Sequence, residues 1–348
     1  MHRGGMSKTL RGWSSPLVRL TRADRTNGFF NQTRISPMKR GYVMKESVQV
    51  VLTPTEAKRL LSKAVLGMDE VKRALDKSIL IVHPSSTTVF MMEELGFKYS
   101  PTSEYGVWIC GHISPKGLCG PRVVYKMISE TPEWKAVKYP YDFIVRKGKP
   151  VPFGEESALG PILEEIDSDG VYVKGVNAID PKGKVGVLLM DRSGGGSIGL
   201  IVKKQKQKNF RMIIPVGMEK RITIPLEKAM KAAMAAKRAQ GIPCSIWELH
   251  GKIITEVEAF RQLCDVEAIP ISAGGVCGAE GCIVWALEGE EKNVDKAYRL
   301  CGEIHGHKLP YALDVYECKE CVNASCSLSG KKGKADEFIK RVKSQLSE

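Results

Sequence analysis

The run Ser78-Ile79-Leu80-Ile81-Val82-His83-Pro84-Ser85-Ser86-Thr87-Thr88 decides the fold of this chain. Its apolar part, residues 79–82, is rich in β-branched side chains, which is typical of a strand buried on both faces. The loop that follows carries four consecutive hydroxyl side chains, and Val89–Leu95 has a composition that favours a helix. This order of strand, polar loop and helix predicts the first part of a βαβ unit.

The segments on both sides extend this unit. Upstream, Thr53-Pro54-Thr55-Glu56 has the pattern of a capping box with proline in the first helical turn, and Met68–Leu75 predicts a second helix. Downstream, we expect strands at Val171–Val173, Gly186–Met190 and Arg211–Val216, and a helix at Pro225–Gln240. Alternating strands and helices favour a mainly parallel sheet with helices on its faces. The sequence therefore predicts a Rossmann-like α/β ligand-binding domain over residues 48–250.

Residues 251–313 have a different pattern. Helices are predicted at Glu256–Leu263 and Asn293–Glu303, and strands at Val266–Ser272 and Cys282–Leu287. The order helix, strand, turn, strand, helix is most of a ferredoxin-like α+β unit. We therefore expect a second, smaller ferredoxin-like domain, followed by a cysteine-bearing tail and C-terminal helix over residues 314–348.

The positive charge of the chain is concentrated at its start. Residues 1–45 hold ten Lys or Arg and one Asp, which accounts for +9 of the net +14. The remaining +5 does not indicate a basic face, so nucleic acid is not an expected partner unless residues 1–45 alone bind it. Residues 1–47 are predicted to be a disordered basic leader; an organellar transit peptide, or translation from Met38 or Met44, are the alternatives. No apolar run approaches the roughly 18 residues that span a bilayer, so no membrane partner is expected.

Two polar loops are candidates for ligand binding. The hydroxyls of Ser85, Ser86, Thr87 and Thr88, at the start of a predicted helix, suit a phosphate or a carboxylate, although they could also only cap the helix. Gly194-Gly195-Gly196-Ser197 would let the backbone approach a ligand closely, or could be a flexible turn. His83 could be an acid, a base or a structural residue. Because ligands in open α/β sheets bind beyond the carboxyl ends of strands, the two loops together predict a site for a small anionic metabolite.

The order of three loops resembles that of a known superfamily. Ser85-Ser86-Thr87-Thr88, then Lys174-Gly175-Val176-Asn177-Ala178, then Arg192-Ser193-Gly194-Gly195-Gly196-Ser197 is similar to the layout in the superfamily that joins ribose-5-phosphate isomerase, glucosamine-6-phosphate deaminase and CoA transferases, with its lactate-utilisation branch. The strand end Ile213-Ile214-Pro215-Val216-Gly217-Met218-Glu219-Lys220 resembles the lysine exit seen there. The resemblance covers roughly residues 50–225. It implies a pocket for a phosphorylated or carboxylated small molecule, with Asn177 among the residues that bind it.

The chain departs from the isomerase pattern where that pattern carries catalysis. Gly175-Val176-Asn177-Ala178 replaces a Gly-Ala-Asp-Glu run, Arg192 or Ser193 stands in place of a lysine, and Leu200-Ile201-Val202 in place of a glutamate base. Proton abstraction beside a carbonyl needs a positioned base. Asp180, Asp191 and His112 are conceivable substitutes. The catalytic residues are therefore unknown, and two functions stay open: a divergent enzyme, or a non-catalytic metal or redox protein with a vestigial pocket.

Three of the ten cysteines lie close together near the end of the chain. Cys318 and Cys321 form a C-x2-C pair, and Cys326 follows after four residues. This spacing predicts a zinc ion or an iron–sulfur cluster, whose fourth ligand we expect from Cys301, His305, His307 or the small domain; redox-active or inert thiols are the alternatives. Without a recognisable secretory signal, free thiols and a cytoplasmic location are expected. A homo-oligomer is left open.

Overall fold

A computed structural model describes residues 45–96, 112–114, 117–119, 142–151, 159–190, 192, 196–309, 318–320 and 326–330. Its α-helices are α1 (Pro54–Gly67), α2 (Asp69–Lys77), α3 (Val89–Glu94), α4 (Leu159–Glu165), α5 (Gly196–Lys208), α6 (Leu226–Ala235), α7 (Glu256–Cys264) and α8 (Glu291–Ile304). None of these helices is both long enough and apolar enough to cross a membrane. Two short 3-10 helices lie at Met218–Lys220 and Cys318–Glu320.

Fourteen strands form four sheets within these ranges. The strands are β1 (Lys45–Leu52), β2 (Ile79–Val82), β3 (His112–Ser114), β4 (Gly117–Cys119), β5 (Phe143–Arg146), β6 (Lys149–Pro150), β7 (Val171–Val173), β8 (Ala178–Ile179), β9 (Val185–Leu189), β10 (Arg211–Pro215), β11 (Ser245–Leu249), β12 (Lys252–Ile254), β13 (Glu267–Gly274) and β14 (Cys282–Glu290). The largest sheet has the order β12-β10-β7-β2-β5-β6. Its first four strands are parallel, and the β5–β6 hairpin adds to β2 in the antiparallel sense. The prediction of an α/β protein with parallel strands in its main sheet is confirmed.

The parallel strands are apolar because both of their faces are covered. In β2, Leu80 and Val82 point into one apolar core, which helices α1, α2, α3, α7 and α8 close. Ile79 and Ile81 point to the opposite face, into a core closed by α4, α5 and β9. All four residues are at most 6% exposed. A strand buried on both sides thus carries the near-continuous apolar run from which it was predicted.

The strand predicted at Gly186–Met190 does not belong to the parallel sheet. It is β9, and it pairs antiparallel with β8 and β11 in a separate three-stranded sheet. The connection from β8 to β9 is a tight turn in which the Asp180 carboxylate accepts hydrogen bonds from the N–H groups of Lys182 and Lys184. A turn this short allows only antiparallel pairing, since a parallel crossover needs a dozen residues or more.

The first strand pairs with a distant part of the chain. β1 runs antiparallel to β14 over eight residue pairs, from Lys45–Glu290 to Leu52–Ile283, and β13 completes a sheet of order β1-β14-β13. The strand was not predicted, and it begins inside the segment expected to be a leader. One apolar core runs from this sheet to the parallel strands. The boundary between residues 250 and 251, and the Rossmann-like and ferredoxin-like assignments, stay predictions.

Glu56 connects the start of α1 with the end of α8. The predicted capping box is present: Thr53 N–H donates to Glu56 Oε2 at 2.7 Å, and Glu56 N–H donates to Thr53 Oγ1 at 3.2 Å. The other carboxylate oxygen accepts from Gly306 N–H at 2.7 Å and lies 3.2 Å from Nδ1 of His305. Burial would raise the pKa of Glu56, but the hydrogen bonds from Thr53 and Gly306 together with His305 hold it below its usual value.

We expect Glu56→Ala to lower the free energy of unfolding by about 1–3 kcal/mol, because two partly buried hydrogen bonds, from the N–H groups of Thr53 and Gly306, are lost. Since the folded-state pKa is depressed, this stabilisation is present above the unfolded pKa, near 4.3, and is lost as pH falls through the folded value. Urea unfolding at pH 7 and pH 4 measures both effects. The control is Glu303→Ala, an exposed glutamate on α8. Equal stability of the two variants at pH 7 would contradict the role given to Glu56.

Candidate functional site

The four parallel strands deliver polar residues to one edge of the sheet. The hydroxyl loop, residues 85–88, follows β2; Lys174 and Gly175 follow β7; the turn Gly217–Lys220 follows β10; and Glu256 follows β12. Because the strands are parallel and adjacent, their carboxyl ends meet at the same edge. This is where open α/β sheets bind ligands, so the edge is the candidate site.

The hydroxyl loop is held in shape by its own side chains. Ser85 Oγ accepts from the N–H groups of Thr87 and Thr88 at 3.2 and 3.1 Å, and lies 3.0 Å from Thr88 Oγ1. Thr88 Oγ1 donates to the carbonyl of His83, and Ser62 donates to the carbonyl of Thr87 at 3.0 Å. Thr88, at the N-cap of α3, makes no side-chain capping bond. The loop is thus more than a helix cap, and it is a rigid turn.

Gly175 lies against this loop. A Cβ at this position would be 2.7 Å from Ser85 Oγ and 3.6 Å from Thr87 Oγ1, so only glycine leaves room for the contact. Lys174, its buried neighbour, lies close enough for its positive charge to lower the pKa of His83. The second loop of the predicted pattern therefore lies beside the first.

Lys220 joins the turn after β10 to the hydroxyl loop. Its Nζ donates to Thr87 Oγ1 at 3.3 Å. Burial of the amino group, together with the positive charge of Lys58, lowers the pKa of Lys220 to about 8, although Glu219 and Glu256 act in the opposite direction. No carboxylate of the described residues forms an ion pair with this amine. Lys220 is thus a cation in the site whose charge is not neutralised by a direct partner.

Glu256 is a buried acid beside the same turn. Both of its carboxyl oxygens accept from Met218 N–H, at 3.0 and 3.2 Å, and the residue is 1% exposed. Burial, and then the charge of Glu219, raises the pKa of Glu256 to about 8. The group is therefore mostly protonated at neutral pH and can give up a proton close to that pH.

Glu219 places a second carboxylate at this edge. Both oxygens are buried and have no hydrogen-bond partner among the described residues. The carboxylate lies over Gly217, where a Cβ would come within 1.8 Å of Oε2. It interacts electrostatically with Lys58, Lys220 and Glu256. Buried polar atoms without partners are rare in proteins, which makes Glu219 a candidate for contact with a ligand.

His83 belongs to a buried network beneath the site. Its Nδ1 lies 2.9 Å from Asp142 Oδ1 and 3.0 Å from the Tyr172 hydroxyl, which donates to Asp142 Oδ2 at 3.0 Å. All three side chains are at most 2% exposed. Burial and then Lys174 lower the pKa of His83, against the effect of Asp142, while burial and Asp142 raise the pKa of Tyr172 well above its usual value. The imidazole is thus neutral at neutral pH, and it anchors the strand end from which the hydroxyl loop begins.

The structure brings together only part of the predicted ligand site. Ser85, Ser86, Thr87 and Thr88 lie in one loop that contacts Gly175 and Lys220. The Asn177 side chain instead accepts from Leu188 N–H at 3.0 Å, so it holds the β8–β9 hairpin. Gly194 and Gly195 lie outside the described residues, while Gly196 and Ser197 open α5. Because β9 lies outside the parallel sheet, the order of the parallel strands does not place Gly196 and Ser197 at the carboxyl edge.

The tail cysteines show no metal group where the chain is described. No cluster of three or more His, Cys, Asp or Glu side chains that could hold a metal occurs there, and Cys321 lies outside those residues. Cys326 is buried, and Ser327 exchanges hydrogen bonds with Gly241, ahead of β11, at 2.9 and 3.0 Å. Hydrogen bonds therefore attach Ser327 to the segment that precedes β11. The zinc or iron–sulfur site of Cys318, Cys321 and Cys326 stays a prediction.

The expected fourth ligands have other surroundings. Cys301 packs in the apolar core, where burial and the neighbouring Cys264 raise the pKa of its thiol to about 12. His305 is paired with Glu56. A thiol that resists deprotonation is a poor metal ligand, because metals bind the thiolate. Of the fourth ligands predicted, Cys301 is therefore disfavoured.

The sequence reasoning missed Lys58, Glu219 and Glu256. Glu219 and Lys220 stand at the exit of a strand, and an acid–base pair directly after a parallel strand is a usable signal. Glu256 stands in the first turn of a helix, where acids are common for electrostatic reasons, so its position carried no signal. Lys58 comes near Glu219 and Lys220 because α1 contacts β10, which no local pattern predicts.

Comparison of the chain with models of protein families, with curated proteins and with solved structures gives no match in any of the three. The resemblance to the isomerase and CoA-transferase superfamily therefore stays a hypothesis.

We expect Gly175→Ala to lower the free energy of unfolding by about 1–3 kcal/mol, because the new methyl group would overlap Ser85 Oγ and displace the hydroxyl loop. The matched control is Gly160→Ala in α4, where a Cβ meets nothing within 4 Å. That substitution should be neutral or stabilising, since alanine favours helix. Urea unfolding of both variants measures the difference. Equal effects would mean that the loops do not touch as described.

The predicted metal site is tested by elemental analysis and the visible spectrum of anaerobically purified protein. We expect one equivalent of zinc, or a brown protein that contains sulfide, and its loss in Cys321→Ser. Cys244→Ser, at a cysteine that precedes the small domain, should keep the metal. Metal-free protein whose tail thiols titrate freely would end the idea.

Proposed function

We propose that the protein binds a small phosphorylated or carboxylated metabolite at the carboxyl edge of its parallel strands, and that it is a divergent enzyme acting on that metabolite. The observation that carries the proposal is the 3.3 Å hydrogen bond from Lys220 Nζ to Thr87 Oγ1. It places an unpaired ammonium group beside a rigid loop of hydroxyls. Ammonium and hydroxyl donors on one small surface are what phosphate and carboxylate oxygens bind.

The charge balance of the edge supports an anionic ligand. Lys58, Lys174 and Lys220 contribute positive charge, whereas Glu256 carries a proton at neutral pH because its pKa is about 8. Glu219 is the remaining acid among these described residues. A partly desolvated site with an excess of positive charge attracts an anion more strongly than an exposed lysine does.

Two groups at this edge can transfer protons near neutral pH. The pKa of Lys220 and the pKa of Glu256 are both about 8. Burial disfavours the charged form of each group, so it lowers the pKa of the ammonium ion and raises the pKa of the carboxylic acid. General acids and bases are most effective when their pKa lies near the working pH. These groups supply the acid–base function that the departures from the isomerase pattern had left without a residue.

The proposal includes a cytoplasmic location. Eight cysteines of the described residues are free thiols, which fits a reducing compartment. Whether the protein forms a homo-oligomer is left open.

Anion binding is tested by calorimetry with inorganic sulfate and phosphate. We expect Lys220→Met to weaken sulfate binding about tenfold or more, since a hydrogen bond to a charged group contributes about 1.5–3 kcal/mol. The matched control is Lys228→Met, an exposed lysine on α6, which should bind as the unchanged protein does. If no anion binds, or if Lys220→Met binds equally well, the proposal fails. A chelator that lowers the melting temperature would then favour the metal protein.

Sulfate also tests the charge state of Lys220, because its own charge is constant above pH 3. The pKa of the amine is about 8, so we expect the affinity for sulfate to fall as pH rises from 7 to 9.5. Glu256 loses its proton over the same range and adds to the fall. Lys220→Met should show a smaller pH dependence. An affinity that does not change with pH would contradict the assignment.

A further inference from the structure

Most of the net positive charge outside residues 1–45 lies in one exposed segment. Residues 46–348 carry a net charge of +5, and residues 221–238, which we call the basic segment, contribute +4 of it. The single acid of the basic segment, Glu227, is already paired with Lys184. The five cations of the segment are all exposed, and they are Arg221, Lys228, Lys231, Lys237 and Arg238.

These cations differ from others at the surface because they have no acid beside them. On the neighbouring surfaces, Arg146 pairs with Glu165 at 2.8 Å. In the same way, Lys252 pairs with Glu70 at 2.7 Å. Within the described part of the chain, none of the five cations of the basic segment forms an ion pair. Their charge is therefore available to an anionic partner.

The exposed face of α6 carries two of these cations and an apolar side chain in one row. Lys228, Lys231 and Met234 are spaced by three residues, and side chains at this spacing are neighbours on a helix. Both lysines are exposed, and Met234 is 50% exposed. The opposite side of α6 packs on β11, where Leu226 is the one buried residue of the helix. Nothing in the described core thus accounts for the exposed row.

We infer that the basic segment docks an acidic segment of a partner protein, whose carboxylates pair with Lys228 and Lys231 and whose apolar side chain covers Met234. Charge complementarity selects an acidic partner, and the exposed methionine selects one that also carries an apolar group. Methionine suits such a contact because its flexible side chain adapts to the shape of the partner. This inference does not depend on the proposed function, since the exposed row contains no residue of the anion site.

Two other anionic partners fit this surface less well. Single-stranded nucleic acid is bound by cations together with aromatic side chains on which the bases stack, and residues 221–238 contain no Phe, Tyr or Trp. An anionic membrane is bound by a helix whose outward face carries bulky apolar side chains. The outward face of α6 offers Met234 and the small side chains of Ala232 and Ala235. An acidic protein segment is therefore the partner that the surface favours.

The test uses two fluorescent peptides and the full chain. One peptide has four repeats of Glu-Glu-Leu, and in the other serine replaces each leucine. We expect the leucine peptide to bind about fivefold or more tightly than the serine peptide, because its side chain covers Met234. The affinity of both peptides should fall as salt is added, since the contacts between exposed charges are screened. Fluorescence anisotropy measures both affinities.

Variants of the exposed row separate the two kinds of contact. The double variant Lys228→Glu with Lys231→Glu should bind both peptides about tenfold or more weakly, because repulsion replaces two ion pairs. The matched control is Lys203→Glu with Lys206→Glu, exposed lysines of α5 at the same spacing, which should bind as the unchanged protein does. Met234→Gln should weaken the leucine peptide alone and bring the ratio of the two affinities to about one. An unchanged melting temperature shows that each variant is folded.

Several results would overturn the inference. It falls if neither peptide binds, if both bind equally, or if the α5 control loses as much affinity as the α6 variant. Loss of peptide binding in Lys220→Met would place the peptide in the anion site instead. Oligothymidylate or phosphatidylserine vesicles that bind more tightly than the leucine peptide, and that need Lys228 and Lys231, would replace the protein partner by a nucleic acid or a membrane. The sulfate titration decides the proposed function separately.

Discussion

The parallel alignment of β12, β10, β7 and β2 is the constraint on which the rest of the structure depends. The strands β2 and β7 are wholly buried, and β10 is buried after Arg211, so helices or a further sheet must cover both faces of the sheet there. A sheet that is buried on both faces has room for polar side chains only at the ends of its strands. Since the four carboxyl ends coincide, residues from four separated segments meet at one edge, and the site follows from the topology.

The chemistry of that edge depends on two titratable groups, Lys220 and Glu256, that are buried without forming an ion pair. Among the described residues, the hydrogen-bond partner of Lys220 is a hydroxyl and that of Glu256 is a backbone N–H, and neither group forms an ion pair. Removing a charge from water disfavours the charged form, which brings the pKa of both groups to about 8. An ion pair between them would have moved both values away from neutrality and cancelled the field that attracts an anion. Buried titratable groups with shifted pKa values are typical of functional sites.

The sheet β1-β14-β13 contributes to the edge from outside the parallel strands. It brings β14 next to the turn after β10, and α1, which follows β1, brings Lys58. Glu56 then joins the start of α1 to the chain after α8 through Gly306. The two sheets share one apolar core, so the position of β14 relative to the turn after β10 is set by close packing and not by a flexible linker.

What the sequence by itself determined is local. The buried strand at residues 79–82, the capping box of Thr53 and Glu56, the helices around residues 256–264 and 291–304, and the hydroxyl loop were all predictable, because composition and spacing over a few residues define them. Only the tertiary structure decided the long-range features: β9 in a separate sheet, β1 against β14, and Lys58, Glu219, Lys220 and Glu256 around one edge. These depend on which distant segments pair and pack, and the pKa of a buried group depends on neighbours that no local pattern names. For that reason the loop that begins the site was visible in the sequence, while the charged groups that give it its chemistry were not.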